Sequence, residues 1–179
     1  MPIGIKDVLQ TRDMPTELGS PIFKGRQTHM DSASVNALRL AGAVILGKTV
    51  TTEFAFMVPG PTTNPFDSGA TPGGSSSGSS AAVASGLCPI AIGADGGGSI
   101  RIPAGFCGVV GLKGTFGRVS EWGTAPLCWS VAHMGPIAAT ARDCALGYAA
   151  LAGPDPRYPA SIFRKRRSIR ESSRRPPGT

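Results

Sequence analysis

Thr71-Pro-Gly-Gly-Ser75-Ser-Ser-Gly-Ser-Ser80 and, a little further on, Asp95-Gly-Gly-Gly-Ser99-Ile-Arg101-Ile-Pro103 decide how this chain folds. A Gly/Ser run alone would be a flexible linker. Here the first run leads straight into residues 80–86, whose small apolar side chains predict a helix, and then into residues 88–92, which predict a strand. The second opens residues 100–107, a further predicted helix. Two serine-bearing glycine turns joined by a helix and a strand are too short and too structured for a linker, and they read as one site.

Outward from these turns, Val35, Leu38 and Ala41 recur at helical spacing within residues 32–43, with Asp31 as the expected cap. Residues 43–46 read as a short buried strand, and residues 2–8 as an extended segment that carries Lys6. Downstream, residues 109–119 predict strands turning at Gly111, Gly114 and Gly117, and residues 134–138 predict one more. Thr140, with Asp143 three positions on, resembles a capping box ahead of Cys144, Leu146, Ala149 and Ala150, and Gly153-Pro154 stops that helix. Alternating strands and helices argue an α/β fold.

Composition narrows the function. The chain has 179 residues, 41% of them apolar, enough for one buried core. The formal charge of +7 is concentrated: seven of the 18 Lys and Arg fall in residues 162–179 with a single acid, leaving eleven bases against ten acids elsewhere. A nearly neutral body gives no reason to invoke nucleic acid. Residues 162–179, rich in Arg, Ser and Pro, read as a basic, disordered tail, and residues 1–161 as the folded domain. Cys88, Cys107, Cys128 and Cys144 form no CxxC pair and no His stands at metal-ligand spacing, so four buried, reduced thiols are expected and no metal site. Lys6 and Asp7 interrupt the place where a signal peptide needs its apolar segment, and no apolar run reaches ~18 residues. A cytoplasmic protein without a membrane partner is expected.

Two short motifs invite misreading. Gly42-Ala-Val-Ile-Leu-Gly-Lys48-Thr49 fits the phosphate-loop pattern, yet a helix precedes it and its interior is a strand, so no loop is available to wrap a phosphate. Gly74-Ser-Ser76-Ser-Gly78 fits the nucleophile-elbow pattern, with Asp95 and His133 following in order, but a turn-rich stretch precedes Ser76 where a strand is required.

The chain resembles the amidase signature family. The likeness rests on Pro2-Ile-Gly-Ile-Lys6-Asp7, residues 41–55 (AGAVILGKTVTTEFA), residues 71–84 (TPGGSSSGSSAAVA), residues 95–103 (DGGGSIRIP), residues 104–113 (AGFCGVVGLK) and His133-Met-Gly-Pro136, with 24 positions between the two key serines. The resemblance implies a mixed β-sheet core flanked by helices, incomplete here at both ends because family members are longer. It implies amide hydrolysis through an acyl-enzyme: Ser99 as nucleophile, Ser75 as proton bridge behind a cis Gly74–Ser75 bond, and Lys6 as base. Gly96, Gly97 and Gly98 would supply backbone N–H groups to an oxyanion, Ser76 would hydrogen-bond Lys6, and Asp95 with Arg101 would brace the nucleophile loop. No cofactor is implied, since side chains and backbone dipoles do the activating.

These roles are chemically coherent. A serine needs a neighbouring base, and a lysine is one at neutral pH only when burial or nearby cations lower its pKa. The expected substrate is a small-molecule amide, with homo-oligomerisation left open. The alternatives are a glutaminase-type subunit of an aminoacyl-tRNA amidotransferase, which would need partner chains, and an inactive fragment of an amidase.

Overall fold

The computed structural model describes residues 1–163. Its core is a mixed sheet of five strands: β1 (Pro2–Lys6), β2 (Val44–Thr49), β3 (Ile90–Asp95), β4 (Val110–Gly111) and β5 (His133–Ala138), in spatial order β2-β1-β3-β5-β4. β1 runs parallel to β2 and β3, whereas β5 is antiparallel to β3 and β4. The helices are α1 (Ala33–Leu40), α2 (Ser77–Ala84), α3 (Arg101–Phe106) and α4 (Ala141–Leu151). β2 is an edge strand that leaves Val44 and Leu46 exposed. Among the described residues no helix is long and apolar enough to cross a membrane.

β3 and β5 are buried along their whole length, as central strands covered on both faces must be. Ile90, Ile92 and Ala94 of β3 join Ile3 and Ile5 of β1, Val35 and Leu38 of α1, and Cys144 and Leu151 of α4 in one core. Ala91, Ile137 and Ile100 pack with Val83 and Ala104, from α2 and α3, in a second core. The small residues of α2 serve a close approach. A Cβ on Gly78 would stand 2.3 Å from the backbone N of Val50, and one on Gly93 would stand 2.7 Å from Ser76 Oγ.

Several local expectations change in detail. The cap of α1 is Ser32, whose hydroxyl accepts from Val35 N; Asp31 instead accepts from Arg12 N. Residues 109–119 form only the two-residue β4, because beyond Leu112 the chain turns Lys113 toward the β3 end instead of continuing the ladder. Cys88, Cys107 and Cys144 are buried, but Cys128 is exposed. Thr140 caps α4 through Asp143 N as anticipated. Ile162, placed by its sequence context in the tail, donates to the Gly117 carbonyl at 2.8 Å; the rest of that tail beyond residue 163 lies outside the described residues.

Candidate active site

β1 delivers Lys6 and β3 delivers Asp95, both at the C-terminal ends of parallel neighbours. The two glycine turns follow: residues 71–76 lead into α2, and residues 96–100 lead from β3 into α3. They are stitched together by Ser76 N, which donates to the Ser99 carbonyl at 3.1 Å. The Gly74–Ser75 peptide bond is cis.

Lys6 is fully buried, and its Nζ donates to Ser75 Oγ at 2.6 Å and, more weakly, to the Ala94 carbonyl at 3.4 Å. Burial pushes its pKa from 10.5 down to about 7, against the opposing pull of the Asp95 charge. Ser99 is half-buried and, with Ser75, Gly96 and Gly97, lines a cavity of about 620 Å³. Lys6, Ser75 and Ser99 therefore converge on one place. The close link formed is Lys6 to Ser75; Ser99 shares the cavity.

Asp95 organises the second turn. Its carboxylate accepts from Gly98 N at 2.9 Å, from Ile100 N at 3.1 Å and from the Arg101 guanidinium through two 3.0 Å bonds. Burial alone would raise its pKa, but these donors and the Arg101 charge outweigh burial and hold the carboxyl far below the ordinary range. Asp95 is thus a buried anion neutralised in place.

Two sequence-based roles sit differently from expectation. Ser76 does not reach Lys6: its Oγ donates to the Ala94 carbonyl and accepts from Ala94 N, both at 3.3 Å, because the residue preceding α2 faces the end of β3. Ser76 and Lys6 meet only through that shared carbonyl. The Gly98 N–H is engaged by Asp95, so of the three glycines it is Gly96 and Gly97 that face the cavity.

Sequence reasoning missed Lys113. Its Nζ donates to the Gly96 carbonyl at 2.8 Å and pairs with Asp95 at 3.3 Å, tying the cavity-lining glycine to the buried acid. A lone Lys in a glycine-rich apolar stretch was the available signal. Thr52 was also missed; its N–H donates to the Ser75 carbonyl at 3.1 Å. His133 lies in β5 with Nε2 at 2.6 Å from the Gly114 carbonyl, away from any serine role. Lys48 of the phosphate-loop look-alike pairs with Asp7 at 2.8 Å and donates to Leu9 O, Pro15 O and Thr16 Oγ1.

Known proteins share this arrangement of sequence and fold. The family model described as Amidase matches residues 1–177. A glutamyl-tRNA(Gln) amidotransferase subunit of Chromohalobacter salexigens is 46% identical over 170 residues, which cover 92% of this chain and 35% of that protein. Among solved structures, the corresponding glutamyl-tRNA(Gln) amidotransferase subunit of Thermotoga maritima superposes with a TM-score of 0.89 at 39% identity, covering 92% of this chain and 38% of that one. The peptide amidase of Stenotrophomonas maltophilia does so with a TM-score of 0.88 at 37% identity, covering 96% and 37%. This chain belongs to the amidase signature family. It spans about a third of the length of these relatives.

Proposed function

We propose that the chain carries the acyl-transfer site of an amide hydrolase, with Ser99 as nucleophile, Ser75 as bridge and Lys6 as base. The observation that carries this reading is the buried 2.6 Å contact between Lys6 and Ser75 at a cavity that Ser99 lines. A lysine held near pKa 7 is half neutral at physiological pH, and its lone pair can then take the Ser75 proton.

In the proposed cycle the Ser99 oxygen bonds to the amide carbonyl carbon as its proton passes to Ser75, whose own proton moves to Lys6. The C–N bond breaks, the amine leaves with the proton returned through Ser75, and water hydrolyses the ester by the same relay. Gly96 and Gly97 are suited to offer N–H groups to the oxyanion. Asp95, Arg101 and Gly98 hold the turn beneath them, and Ser76 fixes the strand end.

A second reading, a glutaminase-type subunit working with partner chains, is favoured by one observation: the Chromohalobacter and Thermotoga relatives are amidotransferase components. Either reading requires Ser99 to be reactive. A fluorophosphonate serine probe, with the modified peptide located by mass analysis, is expected to label Ser99 in the wild type and not in Ser99→Ala or Lys6→Ala. A folded wild-type chain that stays unlabelled would overturn the reading and leave an inactive fragment.

A further inference from the structure

We propose that Thr52 is a positioning residue for Ser75: by closing residues 52–56 into a rigid brace, its side chain holds the Ser75 hydroxyl on Lys6. The inference rests on the amide-hydrolase reading, in which Ser75 has to keep its oxygen within reach of both Lys6 and Ser99. Ser75 is held at two atoms: its Oγ accepts from Lys6 Nζ at 2.6 Å, and its carbonyl oxygen accepts from Thr52 N at 3.1 Å. The first bond is the contact to be kept, and the second is an anchor that keeps it. Thr52 also lies against the preceding residue, since a Cβ on Gly74 would stand 2.9 Å from Thr52 Cγ2. Thr52 and Ser75 are both buried, so these contacts are made in the interior.

The anchor is stiff because the Thr52 hydroxyl is engaged in closing its own loop. Thr52 stands at the N-cap of the short 3-10 turn Glu53–Ala55, where a threonine oxygen ordinarily accepts from a backbone N–H of the first turn. It makes no such bond; Thr52 Oγ1 instead crosses the turn and donates to the Phe56 carbonyl at 2.7 Å. Backbone bonds of 2.8–2.9 Å lock the same loop, from Ala55 N to Thr52 O, from Phe56 N to Glu53 O and from Glu53 N to Val58 O. Phe54 N ties it to Leu18 O at 2.8 Å. Inside the loop Phe54 and Ala55 both hold positive φ, 50° and 55°, a conformation that non-glycine residues keep where the surrounding structure enforces it. That enforcement converges on Thr52 and passes through its N–H to Ser75.

The test compares two variants of the full chain: Thr52→Val, which keeps the shape and loses the hydroxyl, and Thr52→Ser, which keeps the hydroxyl and drops only the methyl. In Thr52→Val the maximal rate of Ser99 phosphonylation should fall on the order of tenfold, with the half-saturating probe concentration nearly unchanged. In Thr52→Ser it should stay within about threefold of the wild type. An equal loss in both variants, or a change confined to half-saturation or to thermal stability, overturns the inference. A second readout needs no reaction at Ser99: the titration of Lys6, followed by NMR of 13C-labelled lysine and assigned against Lys6→Met. Thr52→Val should move the Lys6 midpoint upward, because water admitted beside Nζ relieves the burial that disfavours the ammonium, and Thr52→Ser should leave it in place. An unmoved midpoint in Thr52→Val overturns the brace. If wild-type Ser99 goes unlabelled while the Thr52→Val midpoint moves, the hydrolase reading fails and the positioning of Ser75 by Thr52 stands.

Discussion

Lys6 Nζ lies 2.6 Å from Ser75 Oγ, though the two residues are 69 positions apart and neither has more than 2% of its surface exposed. β1 brings the lysine and the turn before α2 brings the serine, so the contact forms only when sheet and turn are both in place. Its electrostatic cost and its chemical use have the same origin, since a lysine without water around it is easily deprotonated.

That cost predicts a pH dependence of stability. Lys6 titrates near 7 when folded and near 10.5 when unfolded. Between these values the unfolded chain binds a proton that the folded chain does not, so unfolding free energy rises with pH across that window. Below about pH 7 the burial penalty is fully present. Lys6→Met removes it, so the variant should gain most over the wild type at pH 6, with the gap closing by pH 10. The gap changes by a few kcal/mol, at about 1.4 kcal/mol per pKa unit. Urea denaturation at the two pH values checks this, and a gap that widens with pH contradicts it.

Asp95→Asn tests the brace under the nucleophile turn. Removing one partner of a buried ion pair costs about 3–5 kcal/mol; roughly 2–4 kcal/mol is expected here because Arg101 is 54% exposed and can be solvated. The Asp95 carboxyl is depressed from 3.8, so its contribution is present above about pH 4 and is lost as pH falls toward its folded pKa. Denaturant midpoints should therefore separate wild type from variant at pH 7 and converge in acid.

Lys113→Met addresses the residue that sequence reasoning overlooked. It removes the donor to Gly96 O while Arg101 still neutralises Asp95. The maximal rate of Ser99 phosphonylation should fall on the order of tenfold, less than the hundredfold or more of deleting an oxyanion donor, with the half-saturating probe concentration nearly unchanged. A change confined to thermal stability would assign Lys113 a purely structural role.

Lys48 should behave as a strut. Lys48→Met abandons the pair with Asp7 and three oxygen acceptors, and a loss of about 2–3 kcal/mol is expected. ATP should not raise the melting temperature of the wild type; a rise lost in the variant would revive the phosphate-loop interpretation.

Local pattern makes much of the fold legible. The helical spacing of Val35 and Leu38, the cap at Thr140 and the strand carrying Lys6 depend on neighbours in sequence, and the structure places each of them within about three residues of expectation, the helix over 32–43 ending early at Leu40. Harder to read is which long-range partner each polar group finds. For Ser76, the choice between Lys6 and Ala94 depends on how α2 meets the end of β3, and Ala94 wins. In sequence Gly98 is equivalent to Gly96 and Gly97; only the Asp95 carboxylate singles out its N–H. Lys113 lies 17 positions from Gly96, inside a stretch patterned like strand, and only the early end of β4 turns it inward. The exposure of Cys128 likewise follows from the cavity it lines.

The most direct test of the central claim is the rate of Ser99 phosphonylation as a function of pH. With Lys6 as base, the rate should rise sigmoidally with a midpoint near pH 7, and Lys6→Ala should abolish that titration together with most of the rate. A pH-independent rate in the wild type, or the same midpoint surviving in Lys6→Ala, would contradict the assignment of Lys6 as the base behind Ser75 and Ser99.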